Sequence, residues 1–150
     1  MVAGEGWHEG VIGIVASRLV ERYNRPVVMI AGSDDQWKGS GRSVSAFDLH
    51  GGLAACAAHL ERFGGHRAAA GLTIRGEQIE VFAAAFAAHA DAVLSDDDLR
   101  PLTHVDAIVP GSKLTLGLCE ELGRVGPFGL GNPSVTLLVD NCEVVSPSTV

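Results

Sequence analysis

Lysine is nearly missing from this chain. Lys38 and Lys113 are the two among 150 residues, and eleven basic groups in all face eighteen acidic ones. At a net charge of −7, binding by broad counterion release from a basic face is excluded. Any recognition of phosphate has to be local and arginine-based, in a pocket rather than on a wide surface. Cysteine is scarce as well. Cys56, Cys119 and Cys142 are odd in number, far apart and form no C-x-x-C pair. Neither a disulfide frame nor a zinc site is implied, and buried reduced thiols are expected. No apolar run reaches membrane-spanning length, and no basic-then-apolar signal opens the chain. A cytoplasmic address without a membrane partner is the expectation.

What is present suffices for a folded core: 47% of residues are hydrophobic and 19% charged, a globular balance. The charge is uneven. Residues 36–75 carry Lys38, Arg42, Arg62, Arg67 and Arg75 against Asp48 and Glu61, with His50, His59 and His66 besides. Residues 76–150 carry three basic groups against eleven acids. Five basic groups against two acids leave residues 36–75 at +3 within a chain of −7.

Ile12, Val15, Leu19 and Tyr23 recur at spacings of three and four, which predicts a helix over 11–23, opened by Trp7-His8-Glu9-Gly10 and stopped by Asn24 and Pro26. Trp7 reads as a staple into the core. Pro26–Ala31 is a continuous apolar strand of the kind covered on both faces. Residues 32–36 read as a polar turn, and 37–44 as a second strand weakened by Gly39 and Gly41. Gly41 removes bulk beside Arg42, which favours close approach of a ligand there. Asp48 caps a helix expected to run to Phe63, with Leu49, Leu53, Cys56, Leu60 and Phe63 on one face. Ala70–Ile74 is a third strand, and Ile79, Phe82, Phe86, Ala90 and Val93 mark a helix over 77–94. Phe47, Phe63, Phe82 and Phe86 sit at core spacing and are not base-stacking platforms.

An acidic run and Pro101 place a domain boundary after residue 95, giving domains 1–95 and 96–150. Beyond it, 104–109 and 135–139 read as strands, with 142–145 a further candidate, and 114–122 as a short helix. The run Gly126–Pro133 is a rigid connector. The fold class is α/β: a small mixed β-sheet flanked by helices, followed by an incomplete β-containing segment.

Three segments in order, Trp7-His8-Glu9-Gly10-Val11-Ile12-Gly13-Ile14-Val15-Ala16-Ser17-Arg18-Leu19, then Gly41-Arg42-Ser43 with Phe47-Asp48-Leu49, then Phe63-Gly64-Gly65-His66 with Ala69-Ala70-Gly71, resemble the DHH-associated domain of the RecJ family of single-strand-specific exonucleases. The connector 126–133 resembles the passage into that family's OB-type domain. The resemblance implies a phosphodiesterase that degrades single-stranded DNA from its 5′ end with manganese or magnesium. It also implies that the metals are held by a preceding DHH domain, through an Asp-His-His triplet that this chain does not contain. Hydrolysis by the chain alone is then not expected, because a metal ordinarily generates the nucleophile. Single-stranded DNA and the DHH domain are the implied partners, and the oligomeric state stays open.

Arg42 is the first candidate for a phosphate, through a bidentate fork; the alternative is an exposed arginine paired with Asp34 or Asp35. His66 could donate to a phosphate oxygen or to the leaving oxygen, as the one catalytic candidate, or could cap a helix C-terminus. Gly64 and Gly65 read as a helix stop that also opens the backbone to a ligand, followed by a turn whose amides form an anion nest. Ser43 is a candidate neutral donor. The resemblance sets His8 near the cleft between the two catalytic domains. Two alternatives stand beside this function: a DHH-family phosphoesterase acting on oligonucleotides or mononucleotides, and a stand-alone single-strand-binding module.

Overall fold

A computed structural model describes residues 1–33, 36–129 and 131–143. The chain forms two compact units, Met1–Pro101 and Leu102–Val150.

The first unit begins with strand β1 (Val2–Glu5) and helix α1 (Glu9–Tyr23). His8 caps α1 by accepting the Gly10 amide at 3.0 Å on Nδ1. Asn24 ends it in the left-handed conformation at φ 48°. The chain returns in β2 (Val27–Ser33), which pairs parallel to β1, so β1-α1-β2 is a crossover unit. Strand β3 (Gln36–Arg42) follows antiparallel to β2. Helix α2 (Leu49–Ala55) is capped by Asp48, which accepts the Gly51 amide at 3.0 Å. Strands β4 (Arg62–His66) and β5 (Ala69–Ile74) make a hairpin, and helix α3 (Ile79–Val93) closes the unit. The sheet order is β1-β2-β3-β5-β4.

Strand β2 is buried on both faces, as its unbroken apolar run predicts. Val27, Met29 and Ala31 pack with Ile12 and Ala16 of α1. Val28 and Ile30 join Phe47, Leu49, Leu53, Ala70, Leu72, Ile74, Phe82 and Phe86 beneath α2 and α3. Each large side chain removed from water here contributes about 1.5–3 kcal/mol. Cys56 lies in this second core, where burial pushes its thiol above the ordinary value. After α3, the Ser95 hydroxyl (2.6 Å) and amide (2.9 Å) donate to the Asp98 carboxylate and hold it below the ordinary range.

Four expectations about the first unit change. The helix from Asp48 ends at Ala55, and residues 62–66 are an edge strand. Leu60 and Phe63 do pack on the same core, but from a turn and a strand. Gly64 and Gly65 therefore stop no helix. The space at Gly41 is filled from within, because a Cβ there would stand 2.9 Å from Leu49 Cδ2; Gly41 is buried and admits a core leucine rather than a ligand. Trp7 is 41% exposed and lies against Gly4 instead of entering the core.

The second unit holds helix α4 (Leu116–Gly123) and two short parallel strands, β6 (Ala107–Ile108) and β7 (Leu137–Leu138). Both strands are shorter than the apolar runs around them; of the candidate strand 142–145, Cys142 and Glu143 are in no strand and residues 144 and 145 lie outside the described residues. Asn132 donates to the carbonyls of Val125 and Pro127 at 3.0 and 2.9 Å, tying the connector together. Cys119 and Cys142 are exposed on this unit, unlike the buried thiols expected. Among the described residues, no helix is long and apolar enough to cross a membrane.

Candidate nucleic-acid interface

Residues paired across antiparallel strands share a face of the sheet. The register therefore lays out three rows on one face of the first unit. Arg42 pairs with Ala69, and Ala69 with His66. Ser40 pairs with Gly71, and Gly71 with Gly64. Lys38 pairs with Thr73, and Thr73 with Arg62. Helix α1 walls this face on the β3 side only. Lys38 Nζ donates to Glu9 at 2.8 Å, and a Cβ on Gly13 would stand 2.9 Å from Arg42 Nη2 and 3.0 Å from Ser40 Oγ. Toward β4 the face lies open: Gly71, Gly64 and His66 are exposed. The result is a trough with a glycine floor and basic groups along it.

Arg42 and His66 thus stand on the same face, two strands apart, about 10 Å between backbones. Arg42 is half-buried and folds along its own strand, where Nη1 donates to Ser40 Oγ at 3.1 Å and to the Gly41 carbonyl at 2.8 Å. Its Nε and Nη2 groups have no partner among the described residues, and they form one edge of the fork that grips an oxyanion. Asp34 and Asp35, the alternative partners, lie outside the described residues.

His66 accepts the Ala68 amide on Nδ1 at 3.3 Å. An amide can only donate, so Nδ1 is the acceptor in this contact and Nε2 is the ring nitrogen left for a ligand. This bond engages one of the amides of the turn that reads as an anion nest in the sequence. The hairpin tip is instead pinned by its carbonyls. Leu49 N–H donates to the Arg67 carbonyl and Ser43 N–H to the Ala68 carbonyl, both at 3.0 Å. Arg67 Nη2 reaches the Ser45 carbonyl at 3.1 Å. The loop that follows Arg42 thus holds the turn that carries His66.

The other sequence candidates are placed differently. Ser43 donates its hydroxyl to the Phe47 carbonyl at 3.0 Å, which commits it to the loop. The serine hydroxyl beside Arg42 on the trough is that of Ser40, whose i, i+2 relation to Arg42 is its signal in the sequence. His8 is not brought to Arg42 or His66. It lines a separate apolar depression of about 440 Å³ with Trp7, Val11, Val15 and Met29. Gly65 faces the core side of the sheet in register with Ala70; Gly64 is the glycine on the floor.

No three His, Cys, Asp or Glu side chains among the described residues gather to hold a metal, and His66 has only arginine, serine and small residues in its rows. The donor set does not suit manganese or magnesium, which take oxygen ligands.

Residues 1–91 match the family model of the DHHA1 domain. The single-stranded-DNA-specific exonuclease RecJ of Bacillus subtilis is 36% identical over 143 residues, covering 94% of this chain and 18% of its own. RecJ of Dickeya dadantii is 38% identical over 135 residues, covering 87% and 23%. The structure of Thermus thermophilus RecJ in complex with Mn2+ matches with a TM-score of 0.79 at 31% identity, over 93% of this chain and 20% of that one. Its Mg2+ complex matches with a TM-score of 0.76 at 30% identity, over 89% and 21%. The chain spans about a fifth of the length of these relatives.

Proposed function

This chain belongs to the DHHA1 domain family, and on that premise we propose that it is the substrate-binding half of a RecJ-like exonuclease, holding the 5′ phosphate of single-stranded DNA. The observation that carries the reading is the single row Arg42-Ala69-His66 on an open, glycine-floored face. Arg42 supplies a charged fork, Ser40 a hydroxyl, and His66 the ring nitrogen Nε2, which the Ala68 amide leaves unoccupied. Small side chains between them leave the backbone accessible. His66 is the group that touches the phosphate or the leaving oxygen in the complete enzyme.

Magnesium or manganese, the ions in the solved relatives, belongs in this reading to a DHH domain elsewhere in the complete protein. This chain's own work is to bind and orient. A cytoplasmic role in DNA repair and recombination goes with the same reading.

The test is a titration of the chain with 5′-phosphorylated single strands. Arg42→Ala is expected to lower affinity at least tenfold, since a charge-assisted bidentate contact is worth about 1.5–3 kcal/mol, while the melting temperature stays nearly unchanged. Strong binding indifferent to the 5′ phosphate would favour the stand-alone binding module. A large loss of stability would make Arg42 a structural residue.

A further inference from the structure

The trough does not end at Arg42 and His66. Four residues back along β3, about 13 Å away, the row Lys38-Thr73-Arg62 crosses the same face. Arg62 is exposed and makes no hydrogen bond or ion pair among the described residues. The acid beside it, Glu61, is engaged by Arg75 at 3.6 Å. Lys38 is engaged by Glu9, so after that pairing the row keeps one positive charge, on Arg62. Around it lies an open depression of about 380 Å³, lined by Lys38, Arg62, Gly64, Gly71 and Thr73 among others. A Cβ on Gly64 would meet nothing within 4 Å, so the floor between the two rows is free for a chain to lie along.

We propose that Arg62, with the Thr73 hydroxyl beside it, forms a second phosphate subsite. It takes an internal phosphodiester of the single strand whose terminal phosphate sits at Arg42 and His66. The inference rests on the function proposed above and extends it. The separation of the rows is of the order of two phosphodiester repeats of an extended strand. The strand then runs along β4 and β5 rather than across them, and the trough selects oligonucleotides over mononucleotides. Among the described residues the floor between the two rows is Ser40, Gly71 and Gly64, with no Phe, Tyr or Trp side chain, so the recognition is of backbone, not base.

The experiment titrates the 150-residue chain with 5′-phosphorylated hexathymidylate and, separately, with thymidine 5′-monophosphate, across a range of salt. Wild type is expected to prefer the hexamer. Arg62→Gln is expected to weaken hexamer binding about tenfold and to flatten the slope of log K against log salt by about 0.7, one contact's worth for a single strand. It should leave the monophosphate and the melting temperature unchanged, and Arg62→Lys should restore most of the slope. Unaltered hexamer affinity and slope in Arg62→Gln, with both probes lost in Arg42→Ala, would overturn the second subsite and leave the first standing. Equal weakening of both probes by Arg62→Gln would also overturn it, as a general field effect. Failure of wild type to bind either probe would remove both readings.

Discussion

Gly64 and Gly65 are adjacent and look interchangeable in the sequence, yet their surroundings give them opposite work. Gly65 has φ +141°, and a Cβ there would lie 2.4 Å from the Ala69 carbonyl oxygen and 2.5 Å from Ala70 Cα. Neither backbone atom can yield. Gly65→Ala is expected to destabilise the first unit by about 1–3 kcal/mol, read as a melting temperature lower by several degrees. At Gly64 the same methyl meets empty space, so Gly64→Ala should melt like wild type. It should nevertheless weaken oligonucleotide binding about tenfold, because the methyl rises from the floor into the path of the strand. Thermal melts and titrations of the two variants separate these roles, and a stable Gly65→Ala would refute the first. Arg42 and His66 were legible as candidates from residue type and context alone. Ser40 was not, because choosing it over Ser43 requires knowing where β3 stops alternating and the loop begins. Ser43 looks like a donor until its hydroxyl is seen to close the loop on Phe47.

At the scale of elements, α1 is more than a cover for β2. Its Gly13 sits where the Arg42 guanidinium and the Ser40 hydroxyl approach the helix, so the missing side chain sets how closely that wall meets the trough. Replacing a helix-interior glycine by alanine normally stabilises by about 0.5–1 kcal/mol. Here the methyl also presses on the end of a flexible arginine, which can move aside. Gly13→Ala is therefore expected to melt at or above the wild-type temperature while binding 5′-phosphorylated strands less tightly. A variant that is more stable and equally tight would detach α1 from the site. The two long helices and the central strands were legible from periodicity, since each buries a continuous stripe or run. The hairpin strand β4 was not. Leu49, Leu53, Cys56, Leu60 and Phe63 recur at helical spacing, and all five do reach one core. The pattern identified the neighbours correctly but not the element, because the pairing with β5 that turns 62–66 into a strand is a long-range choice that a local period does not encode.

For the molecule as a whole, charge decides how the site must operate. The net charge is −7, and both buried cores lie within Met1–Pro101, the unit that also carries Arg42, Arg62 and His66. The acidic balance of residues 76–150 repels polynucleotide rather than gathering it. On the proposed function, affinity would come from a few contacts in the trough, not from a surrounding basic field. For a single strand, each neutralised phosphate contributes about −0.7 to the slope of log K against log salt. On the proposed reading, two phosphates at the Arg42 and Arg62 rows would give a slope of about −1.4. A binding module that tracks the backbone along a long basic groove would engage about five phosphates or more, with a slope of about −3.5 or steeper. Titration with a 5′-phosphorylated single strand between low and moderate salt distinguishes the two, and the shallow slope is the expected result. A steep one would place the binding energy outside this trough, however well Arg42 and His66 align across the sheet.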